Sequence, residues 1–320
     1  MPLPEVLPGL HPVLAAGVAA RLSQARYQDV GIAEARALNR SRNVPDGSTP
    51  LPELFAVENL HAIRPDGTLP LRLYRPSPEH GLPLLVYLHG GGFVAGDLDT
   101  HDLILRRLSR EAGILILSVD YRLAPEHPYP AALEDAGAAI AYATGNTQTL
   151  GANPRAIIVG GDSAGGAIAA AAAATQPDLA GLVLLYPFTD LSRIGESESY
   201  RLFGDGRAGL STADMIWSSS LYAPSPASRH DWRCSPLLMP AGLRLPATLI
   251  LTAEFDVLRS DGENFASLLR ERDVEVAHHR IPGVNHGFLS ATSVPQVDDA
   301  FAIITQWIAS RVFRQAPLPA

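Results

Sequence analysis

Blocks such as Leu84-Leu85-Val86-Tyr87-Leu88 and Ile114-Leu115-Ile116-Leu117 are apolar at every position. A strand with one wet face alternates apolar and polar residues. A strand that is apolar throughout has to be covered on both sides, as in a parallel sheet held between layers of helices. Eight runs read as strands: Leu54–Ile63, Leu71–Arg75, Leu84–His89, Ile114–Asp120, Ala156–Gly160, Leu182–Tyr186, Thr248–Ala253 and Val274–Ile281. Helical stretches fall at Asp102–Ala112, Ala131–Ala143, Ala164–Ala174, Glu263–Arg272 and Gln296–Val312. This βαβα alternation predicts an α/β fold with a mostly parallel eight-stranded sheet flanked by helices.

Two segments break the alternation. Residues 1–50 lack strands and carry Leu14, Val18 and Leu22 at i,i+4 spacing on one helical face. Ser192–Arg229 is inserted between two strands, and its Ala213, Trp217 and Leu221 form a second stripe before the turn-rich Ala223-Pro224-Ser225-Pro226. The two segments either decorate the periphery or jointly cover one site as a lid. Residues 51–191 and 230–320 are left as the α/β core.

Composition narrows the function. With 47 % hydrophobic and 18 % charged residues, the chain can fill a core and is too apolar for disorder. It has no lysine, and 25 arginines face 33 acids for a net charge of −8. That balance argues against a nucleic-acid partner and a polybasic membrane patch. The single cysteine, Cys234, excludes an internal disulfide framework and a cysteine-based zinc cluster. Leu10–Ala20 has the length of a signal-peptide apolar region, but Glu5 and three prolines precede it and no cation does, so export is not expected. The longest apolar run, Ala167–Ala174, is shorter than the ~18 residues of a membrane span. A soluble, cytoplasmic protein without stable membrane insertion is expected.

Gly161-Asp162-Ser163-Ala164-Gly165 follows the apolar Ile157-Ile158-Val159 and precedes an alanine-rich helix. In a strand–turn–helix context, a sharp turn lifts the serine hydroxyl clear of the backbone, and the helix N-terminus directs unpaired N–H groups at a developing anion. His89-Gly90-Gly91-Gly92-Phe93 directly follows another strand. Three successive glycines cost backbone entropy, which close approach of backbone amides to a ligand would justify. In a serine acyl-transfer site such amides hold the oxyanion, together with that of the residue after the nucleophile. His89 is read as orienting this loop by hydrogen bonding rather than acting as a base.

The same loop permits a rival reading. Gly90-x-Gly92-x-x-Ala95, with Asp120 ending the next strand, matches a dinucleotide fingerprint. Against it, Gly96-Asp97-Leu98-Asp99-Thr100 delays the helix, with Asp99 or Thr100 as its N-cap, and two acids there repel phosphate.

A base and an orienting acid are then needed downstream of Ser163. His286 stands out, in Asn285-His286-Gly287-Phe288 between the last strand and the final helix. His278 and His279 read as pleat residues, while His11, His61, His80, His101 and His230 lack a catalytic context. Asp256 is the choice for the acid, at the C-terminal end of a strand, with Glu254 and Asp261 as alternatives in the same segment.

Five motifs together resemble the hormone-sensitive-lipase-like esterases and lipases of the α/β-hydrolase fold: His89–Phe93, Tyr121–Ala131, Gly161–Gly166, Asp256–Arg259 and His286–Phe288. The resemblance spans nearly the whole chain. It implies a triad of Ser163, Asp256 and His286, oxyanion donors at Gly91, Gly92 and Ala164, and loop support from His89 and Gly90. It also implies a helical cap built from residues 1–50 and 192–229. Val257 replaces the family's usual proline, and Ser260 stands where a second aspartate is common. Within Tyr121–Ala131, Arg122 and Glu126 are expected to pair.

The expected activity is hydrolysis of small, short-to-medium acyl esters through an acyl-enzyme, with no cofactor or metal. Leu210, Trp217, Leu221 and Tyr222 are the candidate walls of the acyl pocket. A non-catalytic ligand-binding member of the fold and a lactone, amide or acetyl-sugar hydrolase are the alternatives. The strand near Val274–Ile281 is a candidate sheet edge for a homodimer.

Overall fold

The computed structural model describes residues 7–312 apart from residues 46, 48, 65 and 177. Its strands are β1 (Ala56–Arg64), β2 (Gly67–Arg75), β3 (Leu82–Leu88), β4 (Leu115–Val119), β5 (Ala152–Asp162), β6 (Gly181–Leu185), β7 (Thr248–Phe255) and β8 (Val276–Asn285). They form one eight-stranded sheet in the order β1-β2-β4-β3-β5-β6-β7-β8. β2 runs antiparallel to β1 and β4, and every other pairing is parallel. The helices are α1 (Pro12–Leu22), α2 (Ile32–Asn43), α3 (Asp102–Ala112), α4 (Ala131–Gly145), α5 (Thr147–Leu150), α6 (Ala164–Ala173), α7 (Glu198–Phe203), α8 (Thr212–Tyr222), α9 (Pro226–His230), α10 (Arg259–Arg270) and α11 (Pro295–Val312).

The continuous apolar runs are explained by two cores. Leu84, Val86 and Leu88 of β3 join one core with Ala136 and Ile140 of α4 and Ile168 of α6. Leu85 and Tyr87, pointing the other way, join a second with Leu105 of α3 and Phe301 and Ile304 of α11. Every residue of β4 and β6 is buried. The chain crosses to opposite sides of β3 for β4 and β5, so the strand order reverses there. In an open parallel sheet, that reversal leaves a crevice at the C-terminal strand ends.

The eight expected strands are present, with altered ends. β2 begins at Gly67 because it forms a hairpin with β1, and β8 extends through Gly283 to Asn285, next to His286. α10 begins four residues before the expected start, which places Asp261 in its first turn.

Two local expectations fail. The N-cap of α3 is His101, not Asp99 or Thr100. The Thr100 hydroxyl accepts from the Asp97 amide at 2.9 Å, and the Asp97 carboxylate accepts from the Thr100 amide at 2.9 Å, so this turn consumes the Thr100 hydroxyl, while the Asp99 carboxylate pairs with Arg40 and Arg72. Nor does Arg122 pair with Glu126. Its backbone amide and Nε both donate to Asp135, at 2.8 and 3.1 Å, and Arg64 reaches the same carboxylate at 2.5 Å. A carboxylate with a fully buried side chain recruits the cations in reach. Glu126 instead receives Arg36 of α2, whose Nε also donates to the Val94 carbonyl, tying the N-terminal helices to the loop after the glycines.

Replacing Asp135 with alanine leaves two guanidiniums without their buried partner and should destabilise the fold by about 3–5 kcal/mol. A urea midpoint within error of the parent would contradict this account of the Arg64–Asp135–Arg122 cluster.

Candidate active site

β5 runs into α6 through one residue, Ser163, at φ +54° and ψ −121°. A positive φ is costly for a residue with a side chain, on the order of 1–3 kcal/mol, and persists only where surroundings impose it. Here the Ser163 amide donates to the Leu185 carbonyl at 2.9 Å, and its own carbonyl accepts from Gly166 and Phe188, both at 3.0 Å. Gly165 makes the turn possible, because a Cβ there would overlap the carbonyls of Leu88 and His89.

The raised Ser163 hydroxyl lies 2.9 Å from His286 Nε2, and His286 Nδ1 lies 2.7 Å from Asp256 Oδ2. An imidazole carrying its proton on Nδ1 donates to Asp256 and leaves Nε2 to accept the serine proton. Asp256 is 1 % exposed, and its other oxygen accepts from the Leu258 amide at 2.9 Å, so it is held on both sides despite Val257. The Tyr186 ring meets the imidazole edge-on, with centroids 4.9 Å apart. The two alternative acids are engaged elsewhere: Glu254 accepts from the Gly283 amide at 2.7 Å, and Asp261 from Thr189 and Asp190 at 3.1 and 3.0 Å.

The glycine loop borders the same space. Gly91 lies at φ +127°, and a Cβ there would overlap the Ala95 carbonyl, so no other residue fits this conformation. His89 donates from Nδ1 to the Gly90 carbonyl at 2.8 Å and stacks on Tyr121, whose hydroxyl donates to the His89 carbonyl at 2.7 Å. Complete burial holds the His89 imidazole down to about 4, so it is neutral and stays a loop orienter.

Asp162 and His101 were missed as site residues. Asp162 accepts from the Gly90 amide and the Tyr87 hydroxyl, both at 2.8 Å, and lies 3.1 Å from His101 Nε2. Burial pushes its carboxyl up, but His101, the Tyr87 hydroxyl and His89 together hold it below the usual carboxylate range. The signal available was an acid set between the glycine and the serine of the motif. The partner, 61 residues away, had none.

A cavity of about 480 Å³ opens over these groups. Gly90, Gly91, Gly92, Ser163 and His286 border it, with Leu14 and Val18 of α1 and Leu210, Met215 and Trp217 of the insertion. Leu221 and Tyr222 do not. Tyr222 stacks on Phe93 at 3.9 Å, and Leu221 packs against the first core. The apolar stripe misled because the buried face of α8 is partly polar: Asp214, Met215, Ser218, Ser219 and Tyr222 turn inward, while Ala213 is exposed. Asp214 is occupied in a capping box with Ser211.

The dinucleotide reading fails on geometry. α3 starts only at Asp102, and Asp97 and Asp99 on the intervening loop bind Arg40. Among the described residues, no cluster of three or more His, Cys, Asp or Glu side chains could hold a metal ion, and no helix is long and apolar enough to cross a membrane.

Residues 85–290 match the alpha/beta hydrolase fold family. The chain belongs to that family, in the hormone-sensitive-lipase-like esterase branch that its glycine-loop and serine motifs mark. It is similar to the carboxylic ester hydrolase LipN of Mycobacterium tuberculosis, with 42 % identity over 245 residues that cover 73 % of this chain and 64 % of that protein. An ethyl acetate hydrolase of Pseudomonas putida is 36 % identical over 261 residues, covering 78 % and 81 % of the two chains. The solved esterase of Pyrobaculum calidifontis superposes with a TM-score of 0.84 at 32 % identity, over 94 % of this chain and 98 % of that one.

The neutral His89 makes a testable demand. Its imidazole titrates near 4 in the fold against an ordinary 6.5, so the unfolded chain binds the extra proton between those values. The contribution is therefore intact above about pH 6.5 and is lost as the pH falls towards 4, at no more than about 1.4 kcal/mol per pH unit. Urea midpoints of His89→Asn should decline less steeply than the parent's across that window. Equal slopes would contradict the assignment.

Proposed function

We propose that this protein is a serine carboxylesterase working through an acyl-enzyme. The observation that carries the reading is the unbroken chain of hydrogen bonds from the Ser163 hydroxyl through His286 to buried Asp256, at a cavity that the glycine loop also lines. His286 removes the serine proton as Ser163 attacks the ester carbonyl, and Asp256 fixes the tautomer and stabilises the imidazolium. Backbone N–H groups of Gly91, Gly92 and Ala164 receive the oxyanion; losing one such donor typically slows turnover by ~10²–10³. His286 then protonates the departing alkoxide, and water repeats the sequence to free the acid.

The segments 1–50 and 192–229 act as the cap. The support is that α1, α2 and α8 all contribute walls to the cavity over Ser163. Its volume suits a small ester with a short-to-medium acyl chain. A non-catalytic binder of the same fold has no need of a serine, imidazole and carboxylate in register. Lactones and activated amides present the same carbonyl to the same groups and belong in a substrate panel. A redox-indifferent chain whose one cysteine is buried suits the cytoplasm. β8, at the end of the sheet, is the strand offered to a second copy.

Ser163→Ala should lower hydrolysis of p-nitrophenyl butyrate to background, abolish labelling by a fluorophosphonate probe and leave the circular dichroism spectrum unchanged. Retained turnover in that variant would refute the nucleophile. In a series of p-nitrophenyl esters, kcat/KM should peak below an acyl length of about ten carbons, given the size of the cavity. A maximum at C12 or longer would contradict the pocket assignment.

A further inference from the structure

The cavity wall is not uniformly apolar. α1, the turn after it and α2 bring Arg21, Gln24, Tyr27 and Arg42 to its border. The Arg42 and Arg21 guanidiniums stand 4.9 and 5.5 Å from the centroid of the Tyr27 ring, which stacks on Trp217 with centroids 6.1 Å apart. Two cations are thus gathered round one aromatic pair where the N-terminal helices meet the inserted ones.

Among the described residues, their charge is not answered. α2 also carries Arg36 and Arg40, and both are paired, with Glu126 and with Asp97 and Asp99 respectively. Neither Arg21 nor Arg42 forms an ion pair among the described residues. Arg42 donates once, to the neutral Gln24 Oε1 at 3.0 Å, and its Nε is buried without any partner. Of the two acids that border the cavity, Asp162 is committed to Gly90, Tyr87 and His101, and Asp214 bonds Ser211 through Oδ2; neither forms an ion pair with Arg21 or Arg42. Each arginine sits in the last turn of its helix, where the dipole offers about half a negative charge. That leaves most of two full positive charges, and guanidinium N–H edges that a ring face cannot satisfy.

We propose that Arg21 and Arg42 form the receptor for a carboxylate, so that the substrates of this site are esters bearing a carboxylate away from the scissile bond. The inference rests on the esterase reading above and adds its substrate class. Guanidinium groups bind carboxylates through paired, charge-assisted hydrogen bonds, and a carboxylate entering here would meet donors that the fold leaves unused. Tyr27 and Trp217 would hold the arginine planes while leaving their edges open.

The test compares kcat/KM for matched esters in the full-length protein. One pair puts the charge on the acyl side, mono-p-nitrophenyl adipate against p-nitrophenyl hexanoate. The other puts it on the alcohol side, 4-acetoxybenzoate against 4-methylphenyl acetate. In at least one pair, the anionic-to-neutral ratio should fall roughly tenfold or more in Arg42→Gln and in Arg21→Gln, should fall with added salt in the parent, and should be partly restored in Arg42→Lys. Ratios unchanged by both substitutions in both pairs overturn the assignment. So does a parallel loss on both members of each pair, which would make the arginines mere supports of the cap. If the parent hydrolyses none of the four esters and Ser163 resists the fluorophosphonate, the esterase reading itself fails.

Discussion

The backbone after β3 lies directly against the first turn of α6, closer than any side chain would allow. Gly165 faces the carbonyls of Leu88 and His89 with no room for a Cβ. This contact sets the glycine loop beside Ser163. The serine turn, the loop and the cavity floor form one backbone assembly, and parallel pairing of β3 with β5 fixes its spacing. Asp162 locks it further, since one residue of the turn binds both the first amide of the glycine loop and a side chain of β3.

Charge is handled differently at each point around this assembly. His89 is buried and neutral, so it can stack on Tyr121 and bond the loop without bringing a cation into an apolar layer. Asp162 is buried and ionised, which is tolerable only because it collects several donors. Asp256 is the second buried carboxylic residue near the floor, and its oxygens go to His286 and the Leu258 amide. The two carboxylates below the floor are thus satisfied by their neighbours, although His89 Nε2 is buried without a partner, whereas Arg21 and Arg42 on the wall meet no acid among the described residues. The contrast separates groups that hold the site together from groups free to meet a ligand.

Much of this was legible in the residues because the decisive signals are local. An all-apolar strand, a serine between small residues at a strand–helix junction and a triple glycine each follow from steric demands within a few positions. The proximity of Ser163 to His286, 123 positions apart, followed once those pieces were placed at strand ends, whereas the order of the strands came only from the structure. What escaped depends on partners remote in the chain or on polar residues doing the work of apolar ones. Arg122 had an acid four residues away, yet chose Asp135, because a fully buried carboxylate gains more from a cation than an exposed one does. α8 buries Ser218 and Asp214 where an apolar stripe was sought, so Trp217 borders the cavity and Tyr222 does not. His101 had no motif at all; only the fold brings it to Asp162.

The central claim is that Ser163 carries the acyl group during turnover, and the most direct measurement is chemical. The protein is mixed with excess p-nitrophenyl butyrate, quenched in acid within the first turnovers, digested and mapped by mass spectrometry. The account predicts one butyryl group, on the peptide containing Ser163 and on the serine itself, in an amount that rises with the initial release of p-nitrophenol. Butyrylation confined to another residue during undiminished turnover would contradict it.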